Sequence, residues 1–158
     1  AIGLRINPGE GSGGNNRTNV AGKGASFGLW HELVPEALAC AAAHGLRVTW
    51  AHHHVGSGGD PAKWAKIAAR TIHLIERMPD VVTLNLGGGF KVARVEGEKQ
   101  TDLGEASRQI ASLVEAFAAK TGRRLHVEIE PGTWLTANAG AIVARCRATV
   151  TNSSFLQW

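Results

Sequence analysis

The amino-acid sequence predicts an α/β fold built as a parallel βα repeat. Two observations carry the prediction: short apolar runs alternate with stretches of helical period, and glycine, proline or asparagine closes the apolar runs. A third sets the scale, because 158 residues of which 44% are hydrophobic suit one compact domain with a real core. Five strands in such a repeat close as a doubly wound, flavodoxin-like sheet or form about half of a (β/α)8 barrel, and the pattern permits both.

Ile2 to Ile6 reads as a short strand ended by Asn7, Pro8 and Gly9. The Gly/Asn/Ser stretch GEGSGGNNRTNVAGKGASFG follows, a loop long enough to suggest function or a lid. His31 to His44 is the first helix, with Pro35 suited to its first turn and Gly45 placed to end it. Leu46 to His54 is the next strand. Asp60 and Pro61 then form an N-cap with proline at the first helical position, and Trp64, Ala68, Ile72 and Ile75 line one face of a helix running to Met78.

Val81 to Leu86 is a strand stopped by Gly87, Gly88 and Gly89. The polar excursion KVARVEGEKQTD leads to a helix over Gly104 to Lys120, with Ala106, Ile110, Leu113 and Phe117 on one face. Leu125 to Ile129 is a further strand, and Ala141 to Val150 is expected to be the last.

Net charge is +4, but the basic residues are scattered, so no nucleic-acid stripe is visible. Cys40 and Cys146 show neither CxxC nor disulfide-scaffold spacing, which points to a reducing cytoplasm. No apolar run approaches the roughly 20 residues of a membrane span. The opening AIGLRINPG, already strand-like and without Met, is expected to lie in the middle of something larger.

Parallel α/β folds gather functional groups at the C-terminal ends of their strands. Here those ends carry Arg5 and Asn7; His52, His53 and His54 before Gly56-Ser57-Gly58; Asn85 and Gly87 to Gly89; and Glu130-Pro131-Gly132-Thr133. Glycines after a buried strand let backbone N–H groups approach an anion, though a plain turn explains them as well. HVGSGGD, opening a helix capped by Asp60, tips the balance toward phosphate. His52 and His54 share a strand face and His53 does not. With no Cys, Asp or Glu beside them at ligand spacing, no metal is assigned. Glu130, at the end of an apolar run, needs a cationic partner if it points inward. A carboxylate, a flat imidazole and two glycine loops together describe a pocket for a charged aromatic phosphate such as pyridoxal 5'-phosphate.

GLRINPG, the loop running to SFGLW, HHHVGSGGDP, LNLGGGF and EIEPGTWLTANAG resemble, in this order and spacing, the second half of the barrel domain of fold-type III pyridoxal-phosphate decarboxylases. Diaminopimelate decarboxylases are the nearest branch, with ornithine and arginine decarboxylases further off. The resemblance spans roughly residues 2 to 148. It implies part of an alanine-racemase-like (β/α)8 TIM barrel, with residues 1–150 a partial pyridoxal-binding domain and 151–158 an unmatched tail.

It further implies that His54 stacks on the pyridine ring. Ser57, Gly87, Gly88 and Gly89 hold the phosphate with Gly132 and Thr133, and Glu130 is the catalytic residue paired with the pyridinium nitrogen. Thr133 replaces the arginine common after EPG in the family, which puts one phosphate contact in doubt. None of the lysines matches the family's Schiff-base lysine, so cofactor binding by this chain would be non-covalent. The parent reaction implied is decarboxylation of meso-diaminopimelate or a related diamino acid, in lysine biosynthesis. The implied partners are an amino-acid substrate and a second copy of the chain meeting exposed barrel edges, with neither nucleic acid nor membrane. A non-catalytic phosphate-binding or self-associating half-barrel is the alternative.

Overall fold

The computed structural model describes residues 1–11, 20–148, 150–152 and 155–157. Strand β1 (Ile2–Asn7) leads through the long loop to β2 (Leu29–Trp30), a 3-10 turn at His31–Leu33 and helix α1 (Val34–Ala43). Then follow β3 (Val48–His52), α2 (Pro61–Ile75), β4 (Thr83–Asn85), α3 (Leu103–Thr121), β5 (His126–Glu128) and the one-turn α4 (Gly132–Thr136).

The helix ends follow from local chemistry. Asp60 Oδ1 accepts the Ala62 N–H at 3.0 Å, with Pro61 in the first turn of α2. Asp102 Oδ1 accepts the Glu105 N–H at 2.9 Å, so α3 begins at Leu103, and Gly122 ends it at φ 72 in the left-handed region. α1 begins later than expected because His31–Leu33 wind as a 3-10 turn.

The five strands pair in parallel in the order β2-β1-β3-β4-β5. From β1 onward the large strands follow chain order without reversal. Right-handed crossovers of that kind place successive helices on one face of the sheet. The core agrees: Ile6, Ala51 and Leu84 from the strands and Leu86 just past β4 join Trp64, Ile67 and Ile75 of α2 and Ile110 and Phe117 of α3 in one cluster. Trp64 stacks on Phe90 at 4.3 Å between ring centroids, closing that cluster near the strand ends. The order β2-β1-β3-β4-β5 is by itself also that of a doubly wound sheet, but such a sheet carries helices on both faces. Here α1 through Val34 and Ala41, α2 through Ile67 and Ile75, and α3 through Ile110 and Phe117 all feed one cluster. The barrel reading is therefore the one that stands.

Two expectations are corrected. The strand expected over Ala141 to Val150 does not form: residues 141–148 have no regular structure, and Ile142 and Val143 are 98% and 95% exposed. Apolar residues make a strand only with a neighbour to pair and pack against. Among the described residues of that stretch Val150 alone is in a strand, β6 (Val150–Asn152), which pairs antiparallel with β7 (Phe155–Gln157) apart from the five-stranded sheet. The fifth strand of the main sheet is instead β2, whose two residues are too short to show a period. Much of the glycine-rich loop, residues 12–19, lies outside the described residues.

Candidate functional site

The parallel ladder does not stop where the strands end. His53 N–H donates to the Asn85 carbonyl at 3.1 Å, Leu86 N–H to the Glu128 carbonyl at 3.0 Å, and Glu130 N–H to the Gly87 carbonyl at 2.9 Å. The C-terminal ends of β3, β4 and β5 are thus zipped together, and the residues just beyond them are held by backbone, as a precise site requires.

Along β3 the side chains alternate. His53 turns into the core, fully buried, with Nδ1 at 2.9 Å from the hydroxyl of Thr71 on α2. That hydroxyl donates its single proton to the Ile67 carbonyl at 3.2 Å, so His53 Nδ1 carries the proton of their shared bond. Burial first, and then the neighbouring His52 and His54, push the His53 pKa down to about 3, so the ring is neutral. His53 is a core residue with a structural partner.

Trp50, His52 and Asn85 belong to the opposite face, together with Glu128 and Glu130. Trp50 stacks on His52 at 5.3 Å. Trp50 Nε1–H and Asn85 Nδ2–H donate to Glu128 Oε2 at 2.7 and 3.1 Å. These bonds, Trp50's first, hold the Glu128 carboxyl below the ordinary glutamate range. Glu128 is the site residue that the sequence reading missed. Its signal was the two-residue spacing in EIE, which puts Glu128 and Glu130 on one face.

His52 Nε2 lies 3.9 Å from Glu130 Oε1. Burial lowers the pKa of both His52 and His54, with the Arg5 guanidinium adding to the effect and Glu130 opposing it. Both rings are neutral near neutral pH, so the 3.9 Å contact is not an ion pair there. The Gly88 N–H donates to His54 Nδ1 at 3.2 Å, which places the lone pair on that nitrogen. Arg5, whose guanidinium stands 5.1 Å from the Phe27 ring centroid, is a nearby cation, but among the described residues it forms no ion pair with Glu130. The Glu130 side chain is 51% exposed, and among the described residues its carboxylate accepts no hydrogen bond.

The triple glycine is packed between the other loops. A Cβ on Gly88 would collide with the Glu130 carbonyl, one on Gly87 would come within 2.6 Å of the His53 carbonyl, and one on Gly89 would strike the Gly56 carbonyl. Close approach of three chain segments therefore requires glycine here. Two of the three N–H groups are already committed, Gly87's to Asn85 Oδ1 at 2.8 Å and Gly88's to His54. Gly89's N–H alone has no acceptor among the described residues, and a Cβ on this glycine would come within 3.2 Å of the backbone nitrogen of exposed Ser57.

Two buried polar side chains fix the surrounding loops. Asn7 accepts the Gly9 and Gly22 N–H groups at 3.1 and 2.8 Å and donates to the Gly22 carbonyl at 3.0 Å, anchoring the long loop's return to the end of β1. Thr101 donates its hydroxyl to the Gly58 carbonyl at 3.1 Å, accepts the Lys91 N–H at 2.8 Å, and returns its own N–H to the Lys91 carbonyl at 2.8 Å. The polar excursion is thereby tied to the loop that bears Ser57.

The expected site residues thus converge unequally. His54, Gly87, Gly88, Gly89 and Glu130 form one contiguous group, joined by Ser57 through Gly89. Gly132 and Thr133 begin α4 and are exposed; Gly132 reaches the group by donating its N–H to the Glu130 carbonyl at 2.9 Å. Lys66 and Lys120 are held outside the site, 2.9 Å from Glu10 and 2.8 Å from Glu76. No helix among the described residues is long and apolar enough to cross a membrane.

Comparison with known proteins identifies the family. Residues 1–137 match the family described as pyridoxal-dependent decarboxylase, pyridoxal binding domain. The chain is 32% identical over 146 residues to diaminopimelate decarboxylase of Streptomyces coelicolor, covering 92% of this chain and 33% of that protein. Against the Escherichia coli K12 diaminopimelate decarboxylase it is also 32% identical over 146 residues, covering 92% of this chain and 35% of that protein. A crystal structure of diaminopimelate decarboxylase superposes with a TM-score of 0.81 at 29% identity, covering 98% of this chain and 37% of that one. The chain spans about a third of the length of these relatives.

Proposed function

We propose a function from one premise: the chain belongs to the pyridoxal-dependent decarboxylases, through their pyridoxal-binding domain. It is the part of a diaminopimelate decarboxylase that grips the pyridine ring and the phosphate of pyridoxal 5'-phosphate. The observation that carries the reading is a half-exposed carboxylate, Glu130, which accepts no hydrogen bond among the described residues, set beside the flat neutral ring of His54 at adjoining strand ends.

The residues fit the group. Glu130 is free to accept a proton-bearing ring nitrogen, and a charge-assisted bond of that kind is the stronger class. His54 presents a neutral ring, fixed at Nδ1 by Gly88, so stacking against it requires no proton change. The Gly89 N–H, the Ser57 hydroxyl and the first turn of α4 with Thr133 supply donors for a phosphate. When bound, the cofactor supplies the electron sink that accepts the carbanion left by carbon dioxide. Glu130 strengthens that sink by keeping the ring nitrogen protonated, and Asn85 and Trp50 keep Glu128 ionised beside it. Thr133 offers one hydroxyl where the family commonly has an arginine, so the phosphate grip is weaker.

The substrate of the parent reaction is meso-diaminopimelate or a related diamino acid, which rests on the names of the relatives. Residues 1–150 form the cofactor-gripping part and 151–158 a separate tail, the chain acts in the cytoplasm, and no lysine here forms the Schiff base. An absorbance titration with pyridoxal phosphate tests this. Saturable binding should weaken about 10- to 100-fold in Glu130→Gln, the loss of one charge-assisted bond, and borohydride should leave no fixed adduct. Absence of binding at millimolar cofactor, or equal binding by Glu130→Gln, overturns the reading.

A second reading, self-association, is favoured by the open edge at β5. Val127 and Ile129 are exposed there beside an apolar groove of about 420 Å³, lined by Leu86, Phe90, Leu103 and Ile110 as well. Two copies that bury this edge would show a mass rising with concentration in light scattering. A monomer mass at every concentration refutes it.

A further inference from the structure

The absence of a nearby acid spoke against a metal at His52 and His54 in the sequence, and the fold supplies that acid from a different strand. One ring nitrogen each of His52 and His54 and a carboxylate oxygen of Glu130 all lie within 4.8 Å of one another. A second observation points the same way. The His52 side chain is 9% exposed, and its Nε2, buried and 3.9 Å from Glu130 Oε1, has no hydrogen-bond partner among the described residues. Buried polar atoms are nearly always satisfied, so an orphan aimed at a carboxylate calls for a missing partner.

We propose that His52, His54 and Glu130 form a transition-metal site of the cofactor-free chain, which takes Zn2+ through two imidazole nitrogens and one carboxylate oxygen, with a fourth position left to water. The donor set selects the metal. Two imidazoles and a carboxylate around an open position suit zinc, whereas magnesium and calcium prefer an all-oxygen shell. Imidazole ligates zinc in its neutral form.

The hydrogen-bond network gives the event a local signature. The His54 lone pair now faces the Gly88 N–H at 3.2 Å. Coordination through Nδ1 takes that lone pair, and coordination through Nε2 moves the ring proton onto Nδ1. Either way the Gly88 N–H is released. The metal also shares Glu130 and His54 with the ring position proposed above. In this one respect the inference rests on that reading: zinc and pyridoxal phosphate exclude one another.

Calorimetric titration of Zn2+ into the metal-free 158-residue chain is the test, alongside His52→Gln and the exposed-surface control His73→Gln. The wild type should take one equivalent, His52→Gln should bind at least about 10- to 100-fold more weakly, the loss that even an outer-shell partner causes, and His73→Gln should match the wild type. Equal binding by His52→Gln, or no binding by the wild type, overturns the site. If His52→Gln does not fold, NMR of the wild type decides. Zinc-induced shifts at the His52 and His54 rings and the Gly88 amide support the site, and shifts confined to other histidines overturn it. Adding pyridoxal phosphate separates the two proposals. Zinc binding with no cofactor binding sinks the cofactor reading alone, competition supports both, and simultaneous binding overturns the shared site.

Discussion

Acidification should unfold this chain through one residue, His53. Its ring is fully buried, its only hydrogen bond among the described residues is to Thr71, and its pKa is lowered to about 3 from an ordinary 6.5. A histidine depressed in this way is bound by protons more readily in the unfolded chain. Its contribution to stability is intact above the unfolded value of 6.5 and is lost progressively as pH falls from there toward 3. Each pH unit well inside that window is worth about 1.4 kcal/mol. Between about pH 7 and about pH 5 the linkage relation then gives a loss of about 2 kcal/mol from this one group, a sizeable share of the usual stability of a domain.

Urea unfolding at the two pH values measures the loss in the wild type and in His53→Leu. The variant changes the baseline stability, but only the difference between pH values is read, so the baseline cancels. Ion-paired glutamates and the other depressed histidines, His52 and His54, titrate in both proteins and cancel as well. His53→Leu should lose about 2 kcal/mol less than the wild type on acidification. Equal losses would show that His53 reaches a proton without unfolding, and would refute the reasoning.

Thr71→Val should remove the partner of His53 Nδ1–H and destabilise by about 1–3 kcal/mol in urea, while Thr71→Ser, which keeps the hydroxyl, should stay near the wild type. Gly88→Ala places a Cβ against the Glu130 carbonyl and should cost about 1–3 kcal/mol in thermal unfolding, with weaker pyridoxal phosphate binding because β4 and β5 must part. Trp50→Phe removes the largest cause of the low Glu128 pKa. Carboxyl carbon NMR should show that group titrating at higher pH, nearer an ordinary glutamate.

What the sequence revealed and what it hid divide along physical lines. Asp60-Pro61 marked the start of α2 because an N-cap is a local event, satisfied by a neighbour two residues on. The βα order was legible for the same reason, since each helix shows its own period. The strand expected over Ala141 to Val150 was not, because Ile142 and Val143 have apolar side chains but no strand to pair with. The glycine run was read as a phosphate cradle. In the fold its first demand is space, set by the carbonyls of His53, Gly56 and Glu130, which no local pattern announces. Likewise, the acid beside His52 and His54 comes from beyond β5, and only the sheet's register brings it there.

Thr101 has a practical consequence for engineering. By bonding Lys91 through both its N–H and its hydroxyl, it clamps together the two ends of the intervening segment, in which Arg94 to Gly97 are exposed. Lengthening a loop whose ends are already joined adds only slowly growing closure entropy, about 0.6 kcal/mol per doubling. A foreign peptide inserted at Glu96-Gly97 should therefore be carried outside the clamp, and neither Ser57 nor the glycine run should register its presence. The same insertion one step past Thr101 would break the tie to Gly58 and disturb both. The chain thus has a permissive port within a few residues of a forbidden one, and a single threonine marks the boundary.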